Sequence, residues 1–323
     1  MWIGNHLLIT DKSINTPKLA RIYPSKLLLF GEYSVLSGSQ ALAVPLPHWK
    51  GDWIQEESNT MPEDSPLLTY IDWLKSHDHI SAASAAHMIN DAEEGWRYVA
   101  DIPIGYGLGS SGAFVAALYD RYITKENSSN PSSDLLMLSK MEGYFHGASS
   151  GMDPMVSFSG QAVYKDEAGT FQSVHDPGWP EGFQVYLLDS GVERSTGPLV
   201  QVYKELIKDR EFKLKIEHEL IPAVEHAIHF YLSGTGGMLE ECISIISQFQ
   251  REYFSMLIPD PVKDQWDELI ETPGMYVKFC GAGGGGFFSG DHNCISTTAS
   301  YAFTHPDFLI AQILVLVSHV DTR

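Results

Sequence analysis

The sequence predicts an α+β protein built from two domains, 1–180 and 181–323. Three observations lead there. The chain has 323 residues, more than one core of ordinary size needs. Its composition, 44% hydrophobic and 19% charged, is that of a globular chain able to bury a large core without disulfide staples. Apolar runs of strand length and runs of helical spacing mix along the whole chain, with no internal repeat and no low-complexity tract.

Taken in order, KLLLF (26–30) is a buried β run, Gly31-Glu32 a turn, and ALAVPL (41–46) a second β run closed by Pro45 and Pro47. Asp52–Asp64 is acidic and polar and predicts a loop. SPLLTYIDWLKSH (65–77) spaces Leu67, Leu68, Ile71 and Leu74 as a helix does. WRYVADIPI (96–104) predicts a strand, and AFVAALYDRYI (113–123) an apolar helix. After the loop KENSSNPSSD, Asp134 is placed to cap the helix LLMLSKMEGYFHG. GASSGMDPMVSFSGQAVY (147–164) predicts a loop and then a strand, and FQVYLLDS (183–190) another strand. From 198 to 257 the chain is mostly helical, broken at SGTGG. MYVKFCGAGGGGFFSG (275–290) predicts strand, glycine loop and strand, and FLIAQILVLV (308–317) a buried strand.

Acidic residues number 41 against 21 basic ones, a net charge of −20. Such a surface repels nucleic acid and anionic lipid, though a local pocket can still oppose the global sign. Cys242, Cys280 and Cys294 form no CxxC pair, which fits free thiols in a reducing compartment. The start of the chain lacks the pattern of a signal peptide, and no apolar stretch is long enough to span a bilayer. A cytoplasmic enzyme is expected, a monomer or homodimer without nucleic-acid or membrane partners.

The stretch IPIGYGLGSSGAF (102–114) carries the strongest chemical signal. Gly105, Gly107 and Gly109 let the main chain approach a ligand and adopt positive φ. Ser110 and Ser111 are placed to cap the following helix or to offer hydroxyls to a metal or phosphate. Gly112 and Ala113 keep the helix start slim. These are the parts of a phosphate cradle at a helix N-terminus. No Lys follows, so it is not a Walker A loop. A G-x-G-x-x-G match exists from Gly107, but no acidic residue follows in an obvious strand at the distance a dinucleotide site needs. A Gly-rich connector with no ligand is the bland alternative.

Three further stretches accompany it: SKLLLFGEYSVLSGSQALAVPL (25–46), HGASSGMDP (146–154) and KFCGAGGGGFF (278–288), the last with five glycines in six residues. Together the four resemble the GHMP kinase superfamily of galactokinases, homoserine kinases, mevalonate kinases and phosphomevalonate kinases. The family's pattern P-x-x-x-G-L-G-S-S-A-A is matched by Pro103–Ala113, with Gly112 where the first alanine stands. Cys280 stands where a threonine is usual. The order and spacing hold from about Arg21 to Gly290.

The resemblance implies a two-domain fold, with a ribosomal-protein-S5-domain-2-like N-terminal unit and a ferredoxin-like C-terminal unit. It implies an ATP- and Mg²⁺-dependent kinase acting on a small-molecule alcohol. Gly105, Gly107, Leu108, Gly109, Ser110, Ser111 and Gly112 would bind the phosphates, and Ser111 and Glu142 the Mg²⁺. Asp153 would act beside the acceptor hydroxyl, and Lys26 would balance its charge and that of the reacting oxygens. Gly281, Ala282, Gly283, Gly284 and Gly285 would form the third glycine motif. Glu32, Tyr33, Arg194 and Thr196 would face the acceptor. VYLLDSGVERSTGPLVQVY (185–203) is similar to a stretch of mevalonate kinases bearing R-x-T. Tyr33, where those kinases usually have histidine, is more like phosphomevalonate kinase. Mevalonate is the expected acceptor, because the motifs supply one free arginine, Arg194, suited to one carboxylate; phosphomevalonate, a sugar or homoserine-type acceptors are the alternatives.

Two readings from other classes stand beside this one. Gly147–Gly151 fits G-x-S-x-G, the nucleophile elbow of serine hydrolases, with Ser149 as nucleophile and His292 as base by chain order. A catalytically dead ligand sensor is the other, opposed by the retention of Lys26, Glu142 and Asp153. His146 carries no assigned chemistry. His77 and His79 lack a second pair, so a solvated loop is preferred there to a zinc site.

Overall fold

The computed structural model describes residues 21–57, 62, 64–124, 131–181, 183–187, 196–236, 238–281 and 313–318. Its first half is an antiparallel sheet covered by helices. Strand β1 (Tyr23–Phe30) pairs with the 15-residue β2 (Ala41–Gln55), Lys26 lying opposite Pro45. The near end of β2 pairs with β4 (Ala162–Lys165), which pairs with β5 (Phe171–Val174); its far end pairs with β3 (Trp96–Ala100). Helices α1 (Pro66–Ser76), α2 (Ala82–Glu93), α3 (Ser110–Tyr122), α4 (Pro131–His146) and α5 (Met152–Ser159) complete this half.

Both faces of the central strands are buried, so the two-residue period sorts side chains rather than exposing half of them. Leu27, Leu29, Leu42, Val44 and Leu46 join one core, which continues into the second half of the chain. Ala41 and Ala43 join the other, with Tyr70, Ile71 and Leu74 of α1 and Leu118 and Tyr119 of α3. Small alanines on that face let α3 and α5 lie close to the sheet.

The second half is mainly helical. In order come β6 (Phe183–Leu187), α6 (Thr196–Leu206), α7 (Arg210–Lys215), a π turn (Ile216–Leu220), α8 (Ile221–Leu232), α9 (Leu239–Tyr253), α10 (Asp260–Glu271), β7 (Met275–Phe279) and β8 (Ile313–Ser318). The three strands form an antiparallel sheet with β8 in the middle. Val277 and Phe279 of β7 are buried with Ile243 and Ile246 of α9 and Trp266 of α10.

Three expectations need correction. β2 runs through Pro45 and Pro47 and on to Gln55, past the start of the predicted loop at Asp52. The prolines fall between the stretches that pair with β4 and β3. Lys26, opposite Pro45, spends its own N–H on the carbonyl of Leu108, so Pro45 has no ladder bond to lose at this pair. Residues 152–159, read as loop, form α5. Pro154 sits in its first turn, where a backbone N–H has no intrahelical partner anyway, and Gly151 (φ 78°) and Gly160 (φ 65°) bound it. Asp134 does not cap α4, which begins at Pro131; it lies in the first turn, buried, and accepts a 2.6 Å hydrogen bond from Tyr119 Oη. Helix α2 was not foreseen at all. Its Ser81 cap accepts from Ser84 N at 2.9 Å.

Candidate active site

The glycine loop is held from beneath by its own apolar residues. Ile102, Tyr106 and Leu108 are buried, while the alternate Gly105, Gly107 and Gly109 all take positive φ, 79°, 65° and 75°. The loop is thus anchored by Ile102, Tyr106 and Leu108, while Ile104 between them is exposed. Lys26 N donates to Leu108 O at 2.9 Å, stitching the loop to β1. The Lys26 side chain runs along Gly109, where a Cβ would stand 2.8 Å from its Cγ. Gly109 is therefore fixed twice, by its left-handed backbone and by the lysine beside it.

Gly109 is also the N-cap of α3, and no side chain caps it. Ser110 and Ser111 are inside the first turn and do not act as caps. The first N–H groups of this helix are left to solvent or an anion, which is what a phosphate site requires. Ser111 Oγ instead lies 3.4 Å from Glu142 Oε1 and 3.0 Å from His146 Nε2.

Asp153 faces the same helix start. It occupies the first turn of α5, and Lys26 Nζ lies 2.9 Å from its Oδ2. A Cβ on Gly112 would come 3.0 Å from Asp153 Cβ and 2.9 Å from Pro154 N, so the missing side chain of Gly112 lets α5 approach. The lysine side chain is 7% exposed and that of Asp153 is 35% exposed: the pair is rooted in the core and open on the acid side. Glu142 is buried on α4. Burial, and then the charge of Asp153, push its carboxyl well above the ordinary carboxylate range, against hydrogen bonding by Ser149 and the pull of Lys26. Two acids thus share a space with one lysine.

The residues expected at the acceptor lie differently. Glu32 is sealed in the core: its carboxylate meets Lys278 Nζ at 2.5 Å, with side chains 1% and 0% exposed. Burial pushes its carboxyl up to about 7, with Lys278 opposing. In this geometry Glu32 binds Lys278 and has no surface for an acceptor. Tyr33 is buried too, with positive φ (62°), its ring 5.1 Å from those of Tyr203 and Phe254. Of the third glycine motif, Gly281 is described and buried; Ala282, Gly283, Gly284 and Gly285 lie outside the described residues, as do Arg194 and the side chain of Thr196.

Sequence reasoning missed Lys278. Its signal was a lysine inside the apolar run MYVKFC, which needs a buried partner. It also gave His146 no place, although the ring stands beside Ser111. The elbow reading of Ser149 does not survive: Gly147–Gly151 follows a helix rather than a strand, and Ser149 Oγ donates to the Glu142 carboxylate. His292 lies outside the described residues. His77 and His79 pack around Trp73, and no cluster of three or more metal-ligating acids, histidines or cysteines occurs among the described residues. A cleft of about 340 Å³, lined in part by Trp73, His79, Lys140 and Gly147, borders Ser149. No helix among the described residues is long and apolar enough to cross a membrane.

The chain is similar to known proteins in sequence and in fold. Residues 80–161 match the model of the GHMP kinases N terminal domain. A mevalonate kinase of Archaeoglobus fulgidus is 25% identical over 272 residues, 83% of this chain and 90% of that protein. The structure of Streptococcus pneumoniae phosphomevalonate kinase in complex with phosphomevalonate and AMPPNP matches with a TM-score of 0.58 at 16% identity, covering 94% of this chain and 93% of that one. The structure of L. major mevalonate kinase in complex with R-mevalonate matches at 0.52 and 16%, covering 94% and 88%. The chain has the GHMP kinase fold, and its residues 80–161 are similar to the N-terminal domain of that family.

Proposed function

We propose that this chain is an ATP-dependent kinase that phosphorylates the hydroxyl of a small molecule, with mevalonate as the acceptor, and that its ATP-binding domain extends to about residue 180. The observation that carries the reading is the Lys26–Asp153 pair, 2.9 Å apart, set over the uncapped start of α3. A nucleotide's phosphates would rest on the N–H groups of that turn, with the Gly105–Gly109 backbone alongside. Asp153, accessible on one side, is placed to take the proton of an acceptor hydroxyl. Lys26 would neutralise charge gathering between that acid and the phosphates.

Mg²⁺ fits the residues present. Glu142 is a buried acid whose ionised form is disfavoured by a second acid, and the Ser111 hydroxyl faces it. When bound, the cation would offset charge on the transferred phosphoryl group. Ser111 and Glu142 would hold it, and Asp153 would stay free for the acceptor.

Mevalonate is preferred for two reasons. The A. fulgidus relative is a mevalonate kinase. An acceptor already phosphorylated would need several cations, and the motifs leave one arginine, Arg194, for a single carboxylate. ADP release in the presence of mevalonate, its 5-phosphate, galactose and homoserine tests the reading. Highest kcat/KM on mevalonate is expected; preference for the phosphate or a sugar replaces the acceptor, and no turnover of ATP with any alcohol removes the kinase.

A further inference from the structure

We propose that Ser149 is a positioning residue that fixes the Glu142 carboxylate for its cation; the inference rests on the kinase reading above. The two oxygens of Glu142 are treated differently. Among the described residues Oε1 has only the long 3.4 Å contact from Ser111 Oγ, whereas Oε2 accepts a hydrogen bond from Ser149 Oγ. The Ser149 hydroxyl also accepts from Gly151 N–H at 2.9 Å. A serine has one proton to give; with one lone pair taken by the incoming N–H, the Glu142 carboxylate is where that proton goes.

The loop carrying this hydroxyl is itself tied to α4, the helix that carries Glu142. Ser139 Oγ, one turn before Glu142, donates to Ser149 O at 2.6 Å. Gly151, with φ 78°, lies so close to α4 that a Cβ there would stand 2.8 Å from Leu135 O. Helix and loop therefore form one closed frame. Within it one carboxylate oxygen is held and the other is turned toward Ser111. Partners of this kind around a metal ligand set its orientation and hence its affinity.

A serine that only satisfies a buried oxygen would affect stability and nothing else. Cation affinity separates the two roles. The protein with an unreactive ATP analogue is titrated with Mn²⁺, and free Mn²⁺ is read by electron paramagnetic resonance; the Mg²⁺ dependence of turnover is measured in parallel. Ser149→Ala is expected to weaken Mn²⁺ binding about 10-fold or more and to raise the Mg²⁺ needed for half-maximal rate. The KM for ATP at saturating Mg²⁺ should hardly move. Ser149→Thr keeps the hydroxyl, has the bordering cleft for its methyl group, and should restore the affinity, whereas its isostere Ser149→Val should not. The Thr and Val pair also serves if the alanine variant fails to fold. A cation-dependent wild type with Ser149→Ala or Ser149→Val unchanged in Mn²⁺ affinity overturns this inference alone. A wild type that binds nucleotide without regard to Mn²⁺ overturns it together with the cation site on which it depends.

Discussion

Among the described residues two lysines are buried, each paired with a carboxylate, and the pairs differ in one respect. Lys278 and Glu32 are closed off, 0% and 1% exposed, joining β7 to the turn after β1 across 246 residues of chain. Lys26 and Asp153 meet at a similar distance, but the acid is 35% exposed. A sealed pair has no room for a third participant, so it acts as a joint between β7 and the turn after β1. A pair open on one side can trade its partner for an incoming group. Accessibility, more than the identity of the charges, separates the joint from the proposed reactive centre.

The largest effect should come from the open pair. Asp153→Asn is expected to lower turnover about 100- to 10,000-fold with the thermal midpoint and ATP affinity nearly unchanged. Near-normal kcat would show that the open acid is not the base. The sealed pair should behave inversely. Lys278→Met strands a buried carboxylate and should cost about 3–5 kcal/mol of stability in urea unfolding. The double variant Lys278→Met with Glu32→Leu should recover much of that; no recovery would mean that the pair does more than cancel its own burial.

The closed acid also predicts a pH signature. Its carboxyl, ordinarily near 4.5, is pushed up to about 7 by burial. The folded state then holds the proton more tightly than the unfolded one. The contribution is fully present below 4.5 and is lost as pH rises through about 7. Urea midpoints of wild type and Glu32→Gln, compared from pH 5 to 8, should therefore diverge in slope, wild type falling more steeply. Parallel curves would contradict this.

Two smaller tests sharpen the contrast. Gly112→Ala presses on Asp153 and Pro154 and should cost about 1–3 kcal/mol while disturbing the open pair, seen as a lower kcat. Lys208→Ala breaks an exposed pair with Glu205, and no measurable change in either stability or turnover is expected.

The open centre was far more legible in the sequence than the joint. The bare backbone of Gly105, Gly107 and Gly109 at a helix start was readable from IPIGYGLGSSGAF, and β1, α1 and β7 from their apolar runs. Helix α5 was not, because Pro154 reads as a breaker until its place in the first turn is known. Helix α2 was hidden by AASAA, whose small side chains give little periodic contrast. The Lys278–Glu32 pair was only half legible: a lysine inside MYVKFC asks for a buried partner, but only the folding of distant segments onto one another shows that partner to be Glu32. Ser149 showed a motif that pointed to the wrong chemistry. The helix before it removes the elbow reading, placing a carboxylate where an elbow would need a strand.

The bare flank of Gly112 carries a lesson about transplantation. The first turn of α3 and the first turn of α5 are in contact at a point where only a hydrogen fits, Pro154 N lying 2.9 Å from where a Cβ would be. The family pattern has alanine at this position. The two helices are thus a matched set, cut to each other rather than to a common standard. A chimera that brought α3 from an alanine-bearing relative into this chain would wedge α5 outward and carry Asp153 with it. Exchange of parts between such proteins should succeed when both helices travel together, and fail when either moves alone.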